Sequence, residues 1–242
     1  MTTMDEDDLS FYGKDPGATR FGNFINYYSF HSANERLKHF HTSMFPEFDL
    51  NDTNLILDIG CNSGELTIEF KKFLENLYPE LKFQVLAIDI DPILIKRAKL
   101  NNPDNISFVA CDIMTECGKN ILQDYLNKYN KHSFDVTFCF SVTMWIHINN
   151  GDDKFLEFLK YIKLISKSIV IEPQPWKCYR NAQKRMKRAG ANFDLFTSLN
   201  IRNDVLSAIE KTVTDTHKKV YESLSSPWNR TIQSYHLLES NL

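Results

Sequence analysis

Cysteine is scarce and unpaired in this 242-residue chain: Cys61, Cys111, Cys117, Cys139 and Cys178 are odd in number and contain no C-x-x-C pair. That excludes a disulfide scaffold and a zinc ribbon, and points to reduced thiols in a cytoplasmic or nuclear compartment. No stretch approaches the roughly 20 apolar residues of a membrane-spanning helix. The first residues include Asp5, Glu6, Asp7 and Asp8, where a secretory signal would be basic and then apolar, so a soluble intracellular chain is expected. Positive charge is not in excess either, with 28 Lys and Arg against 31 Asp and Glu, so nucleic-acid binding needs a local patch. No His, Cys and carboxylate cluster has metal-ligand spacing, and no metal is expected. Internal repeats and low-complexity blocks are also missing.

What is present is an alternation of short β-branched apolar runs with helical spacing. Leu55–Ile59, Phe83–Ile88, Ile106–Ala110, Phe134–Phe140 and Ser168–Ile171 predict buried parallel strands, because polar alternation is weak in them. Helical patterns at 66–77, 93–100, 121–129 and 155–165 lie between them, the rhythm of right-handed β-α-β units in an open sheet. Lys218–Ser223 and Thr231–Leu238, separated by Ser-Ser-Pro-Trp-Asn, predict a closing antiparallel pair. Residues 1–19 are expected to be a poorly ordered acidic tail, and 20–242 a single domain.

Three strand ends carry chemistry. The first ends Leu57-Asp58-Ile59-Gly60-Cys61-Asn62-Ser63-Gly64, a glycine loop that is neither G-x-G-x-x-G nor a P-loop, so no pyrophosphate cradle is expected. The second ends with Asp89, 31 residues after Asp58, where a carboxylate can accept from two ribose hydroxyls. Asp91, just before Pro92, is expected to cap the next helix. The third ends Cys111-Asp112-Ile113, where the acid can take an exocyclic amine and the aliphatic side chain can pack on a purine. Together they call for a nucleoside cofactor. This order of features resembles the class I S-adenosylmethionine-dependent methyltransferases, and the resemblance implies a Rossmann-like α/β fold: a seven-stranded, mostly parallel sheet whose last strand is antiparallel.

The acceptor side rests on three further segments. Arg20–His31 is aromatic and polar and could close over the cofactor as a lid, pack aromatics on the sheet, or both. Ser141–His147 and Glu172–Trp176 follow the fourth and fifth strands at the same edge. In amino-methyltransferases a polar-Pro-Pro-aromatic loop holds the nitrogen, whereas here Gln174 separates the two prolines. His147 reads more readily as a structural histidine than as a base. Between Glu172 and Asp194 stand six cations and no acid; Lys177, Arg180, Lys184 and Arg188 form one helical stripe with a cap at Gly190, either a solvated face or a phosphate track.

F-G-N-F-x-x-Y at 21–27, E-R-L at 35–37, the Asp58–Gly64 loop, D-I-D-P, S-V-T-M-W-I-H and E-P-Q-P-W-K-C-Y together resemble the bicoid-interacting family of RNA methylphosphate methyltransferases. The likeness spans most of residues 20–200. It implies S-adenosylmethionine as cofactor and a structured, 5′-phosphorylated RNA as partner. In the small members that this chain resembles, the acceptor is the 5′-monophosphate of an RNA such as histidine tRNA or a microRNA precursor, rather than a γ-phosphate. The family's cofactor contacts carry over to Arg36, Asn62, Asp89, Asp112 and Ile113, with Phe140 a packing neighbour. Asp58 and Gly60 are expected to hold the loop, Asp58 also approaching the methionine amino group. A phosphate monoester has a second pKa near 6 and needs no general base, so neutral donors are expected at the acceptor: Asn23, Tyr27 or Tyr28, and His31. Lys177 and Arg180 would orient the other oxygens. A monomer is expected. An amino-methyltransferase, a γ-phosphate-capping enzyme and a non-catalytic RNA-binding member stay open as alternatives.

Overall fold

A computed structural model describes residues 9–13, 17–102 and 106–238. Seven strands, β1 (Thr53–Ile59), β2 (Lys82–Asp89), β3 (Ser107–Ala110), β4 (Val136–Phe140), β5 (Ser168–Glu172), β6 (His217–Glu222) and β7 (Gln233–Leu237), form one sheet. Its order is β3-β2-β1-β4-β5-β7-β6. The first five are parallel, and β7 runs antiparallel to both β5 and β6.

Strand periodicity splits the core into two layers. Leu55, Leu57 and Ile59 of β1, with Leu86 and Ile88 of β2, enter the core on one face, while Ile56, Val85 and Ala87 enter the other. Burial on both faces explains why these strands read as unbroken apolar runs. Strand order reverses between β1 and β4, which opens a crevice at their carboxyl ends, the usual ligand site of such sheets.

The helices are α1 (Tyr27–Phe30), α2 (Ala33–Leu37), α3 (Glu65–Leu77), α4 (Pro92–Leu100), α5 (Glu116–Lys128), α6 (Thr143–Leu164), α7 (Trp176–Arg188) and α8 (Val205–Val213). Asp91 caps α4 as expected, its carboxylate accepting from the Ile93 and Leu94 amides with Pro92 at the first helical position. α7 closes in a Schellman motif: Gly190 (φ +84°) donates to Lys187 O and Ala191 to Met186 O.

Three features depart from the sequence expectation. Residues 9–13 and 17–19 belong to the folded body: Phe11 bridges Thr19, Tyr12 N donates to Ala18 O at 2.8 Å and Ala18 is fully buried. The domain therefore begins before Arg20, while the tail expectation for residues 1–8 and 14–16 lies outside the described residues. α6 begins at Thr143, right behind β4, and kinks at Gly151, so His147 is a helical residue. α8 carries Val205, Ile209 and Val213 into the core at four-residue steps, a helix missing from the sequence reading.

Candidate active site

The carboxyl ends of β1 to β4 form the floor of a cavity of about 370 Å³, within the usual ~300–1,000 Å³ of small-ligand sites. Gly60 and Asn62 line it from the β1 loop, Asp89 from β2, Asp112 and Ile113 after β3, and Phe140 from β4. Asp89 organises the floor: its Oδ2 accepts from the Asn62 amide at 2.8 Å and its Oδ1 from the Asp91 amide at 3.0 Å. A carboxylate has about four lone-pair sites, so capacity remains for the ribose hydroxyls. Asp112 accepts from the Met114 amide at 2.8 Å and likewise keeps capacity for an amine, with Ile90 and Ile113 as apolar walls. These residues fit an adenosyl cofactor. Gly60 has φ +80°, and a Cβ there would meet Val142 Cγ2 at 2.9 Å, so the loop turns sharply against the β4–α6 corner.

Arg20, Phe21, Gly22 and Asn23 line the same cavity, so the aromatic segment borders it, where a lid would sit. It also packs: Phe24 meets Trp145 edge-on with ring centroids 5.7 Å apart. Gly22 (φ +72°) lies against the Trp145 indole, where an added Cβ would fall 2.1 Å from the ring. Gly22→Ala is therefore expected to unseat this segment and weaken S-adenosylmethionine binding about tenfold or more (~1.4 kcal/mol), as isothermal calorimetry would show.

A second cavity of about 910 Å³ adjoins the first. Asn23, Tyr27, Ser141 and Trp145 line both. Behind the shared wall lies a buried charge cluster. Arg36 is fully buried, and its Nε and Nη2 donate to the two Glu172 oxygens at 3.3 and 2.9 Å. Its Nη2 also reaches Tyr27 Oη at 2.6 Å and Ser141 Oγ at 3.1 Å, and its Nη1 donates to His31 O at 3.1 Å. Ser141 holds the left-handed conformation (φ +57°) and donates to Glu172; strain of that kind concentrates at functional sites. The β6–β7 connection returns over the cluster, Trp228 Nε1 donating to Glu172 at 3.0 Å and Arg230 Nη1 to Ser141 Oγ at 2.5 Å. Burial pushes the Glu172 carboxyl up, but Arg36, Arg230 and Ser141 outweigh it and hold it below its ordinary value.

A family profile described as Bicoid-interacting protein 3 (Bin3) matches residues 134–237, and one described as Methyltransferase domain matches residues 56–163. The human RNA 5′-monophosphate methyltransferase is 40% identical over 217 residues, 84% of this chain and 74% of that protein. The chain belongs to the Bin3 family. The Pre-miRNA 5′-monophosphate methyltransferase of Xenopus laevis, another relative of this Bin3 chain, is 36% identical over 90% of it and 92% of the relative. Solved structures agree on the fold. The N-methyltransferase NodS from Bradyrhizobium japonicum WM9 aligns with TM-score 0.51 and 16% identity, covering 88% of this chain and 98% of that one. LepI in complex with SAM aligns with TM-score 0.52 and 17% identity, covering 84% and 48%.

Within this Bin3-family site, the expected residues separate. Gly60, Asn62, Asp89, Asp112, Ile113 and Phe140 line the cofactor cavity; Arg36 and Asp58 do not. Arg36 instead stands behind Tyr27, in the ion pair with Glu172. Asp58 lies beneath the loop and accepts from Thr67 Oγ1 at 2.6 Å, which anchors α3 to β1. On the acceptor side Tyr27 and His31 line the second cavity. Tyr28 does not: its hydroxyl donates to Cys61 O at 3.2 Å, bracing the glycine loop. Asn23 lines both cavities, but its amide hydrogens go to Leu9 O and Asp91 Oδ2, each at 2.7 Å, and only Oδ1 is without a partner among the described residues. It therefore presents an acceptor, unlike the expected donor.

Lys177 and Arg180 are exposed and line neither cavity. The face of α7 that meets the second cavity carries Cys178, Asn181 and Arg185 instead. His147 is wholly buried between Tyr179 Oη (3.0 Å) and Asp152 Oδ1 (2.8 Å), stacked on Phe155, and is structural. Sequence reading missed Arg185, Trp228 and Arg230, and read Ser141 and Glu172 only as strand-end neighbours. Among the described residues no group of three or more His, Cys, Asp or Glu side chains could hold a metal ion, and no helix is long and apolar enough to cross a membrane.

Burial, with a smaller push from Asp89, raises the Asp58 carboxyl to about 7 against the pull of Thr67 and Arg36. Burial likewise raises Asp89 to about 6. The folded state thus holds protons that the unfolded chain, with Asp near ~3.9, has already released. This stabilising contribution is complete at low pH and is lost as pH rises toward the folded values. Asp58→Asn, which cannot ionise, is expected to flatten the decline in Tm of the ligand-free protein between about pH 4 and 7; an unchanged slope would remove Asp58 as its source.

Proposed function

We propose that this chain transfers a methyl group from S-adenosylmethionine to the 5′-terminal monophosphate of a structured RNA, histidine tRNA and microRNA precursors being the candidate substrates. The observation that carries the reading is the junction of the two cavities at Tyr27 and Ser141. On one side lie the carboxylates suited to an adenosyl group, and on the other the cations Arg185 and Arg230. Relatives named for 5′-monophosphate methylation support the acceptor.

Bound S-adenosylmethionine supplies an electrophilic methyl on sulfonium sulfur. Asp89 would hold the ribose, Asp112 the adenine amine, and Ile90 and Ile113 the ring faces. The acceptor oxygen is already anionic near neutral pH, so the chain's work is alignment and charge placement. Tyr27 Oη accepts from Arg36, which frees its own hydrogen to donate to the phosphate. His31 is lowered to about 4 by burial, Arg230 and Arg36, so its ring stays neutral and also donates. Neutral donors fix the attacking oxygen without quenching its nucleophilicity.

The amino-methyltransferase reading loses its polar group. Gln174 Oε1 already accepts from Thr143 Oγ1 and the Met144 amide, both at 3.2 Å, and its Nε2 donates to Ser141 O at 2.6 Å. We place the activity in the cytoplasm or nucleus, in keeping with five free cysteines. A monomer suffices, since one chain lines both cavities.

The test is label transfer from S-adenosylmethionine to one structured RNA carrying a 5′-monophosphate, a 5′-triphosphate or a 5′-hydroxyl. Label confined to the monophosphate is expected. Preference for the triphosphate would favour γ-phosphate capping, and equal labelling of all three would put the methyl on a base or sugar.

A further inference from the structure

Arg230 is held by one edge and open along the other. The Ser226–Arg230 turn fixes its backbone: Ser226 N donates to Arg230 O at 2.7 Å, and Arg230 N to Ser226 Oγ at 3.2 Å. Nη1 donates to Ser141 Oγ and lies 3.6 Å from Glu172 Oε2, with the side chain only 11% exposed. The opposite edge is nearly unused. Nη2 meets only the soft acceptor Cys178 Sγ at 3.8 Å, and Nε is buried with no partner among the described residues. Arg36, beside it, spends the same Nε and Nη2 pair on the two Glu172 oxygens. The two arginines thus share one carboxylate. Arg36 takes its fork, and Arg230 keeps a fork of parallel N–H donors, the geometry that matches two oxygens of one phosphate. A buried donor left without a partner is costly, and the second cavity, which Arg230 lines with His31 and Tyr27, is where that partner would arrive.

We propose that Arg230 binds the two non-reacting oxygens of the RNA 5′-phosphate through Nε and Nη2, and that this contact makes the enzyme select phosphorylated 5′ ends. The inference rests on the 5′-phosphate reading above and assigns the orienting role there to the β6–β7 connection rather than to Lys177 and Arg180. Glu172 acts through Arg230 as a positioning residue. With Arg36, Arg230 and Glu172 charged and His31 neutral, the cluster behind the phosphate position carries one net positive charge. That suffices to orient the anion while the attacking oxygen faces Tyr27.

The test measures the affinities of one RNA with a 5′-monophosphate and with a 5′-hydroxyl, on wild type, Arg230→Ala and Arg230→Lys, with S-adenosylmethionine affinity as the check on folding. Wild type is expected to favour the phosphorylated RNA by about tenfold or more. Arg230→Ala is expected to erase that preference and raise KM for the phosphorylated RNA similarly, with cofactor affinity unchanged and turnover partly restored by added guanidinium ion. Arg230→Lys, which keeps the charge without the fork, is expected to fall between, and serves if the alanine variant does not fold. A wild-type preference that survives intact in either variant overturns the assignment of Arg230 alone. A wild type without any preference overturns the phosphate reading and this inference with it.

Discussion

Asp89→Ala is expected to weaken S-adenosylmethionine binding by about a hundredfold or more, the largest effect of any single change in the cofactor cavity. Each hydrogen bond from a hydroxyl to a buried carboxylate contributes roughly 1.5–3 kcal/mol, and a hundredfold corresponds to ~2.7 kcal/mol. The same carboxylate holds the Asn62 and Asp91 amides, so its removal also loosens the glycine loop and the start of α4. Asp89→Asn separates the two roles. Its one remaining carbonyl oxygen can keep a loop amide but offers the ribose no charge. Calorimetric affinity within a few-fold of wild type in both variants would contradict the cofactor assignment.

The second large effect is on stability. Glu172→Gln leaves the fully buried Arg36 guanidinium and the nearby Arg230 without a counter-charge. Breaking a buried pair from one side costs about 3–5 kcal/mol, which for a chain of this size lowers Tm by roughly 6–20 °C. The pH dependence has the opposite sign to that of Asp58: Glu172 is held below its ordinary value, so its contribution is present at neutral pH and is lost as pH falls through that lowered value. A Glu172→Gln variant that melts within about 1 kcal/mol of wild type would show that the cluster is hydrated rather than sealed.

The cofactor side was legible because β-α-β geometry fixes where strand ends lie. Asp58-x-Gly60, Asp89 and Asp112 each end an apolar run, and parallel pairing alone brings them to one edge. The two residues that went elsewhere, Arg36 and Asp58, are of types that suit a ligand site and a buried support equally well. Only packing distinguishes the two: Thr67 claims Asp58, and Glu172 claims Arg36.

The acceptor side was less legible, because its contacts join segments far apart in the chain. Arg36 meets Glu172, 136 positions away, and Arg230 meets Ser141, 89 away; no local spacing announces such pairs. α7 was read by its charges, although Tyr179, Ala182, Gln183 and Met186 form its buried face and turn Lys177 and Arg180 outward. Ser-Ser-Pro-Trp-Asn read as a plain turn because nothing in its composition says that Trp228 and Arg230 fold back onto β4 and β5.

The measurement that tests the central claim most directly is the chemical position of the transferred methyl. RNA with a 5′-monophosphate is treated with the protein and labelled S-adenosylmethionine, then exposed to a phosphomonoesterase and, separately, digested to nucleotides for mass spectrometry. A methyl phosphate ester resists the phosphomonoesterase, so the account predicts a protected 5′ end with all label on the terminal nucleotide's phosphate. Label that remains on a base or ribose after the 5′-phosphate has been removed would contradict it.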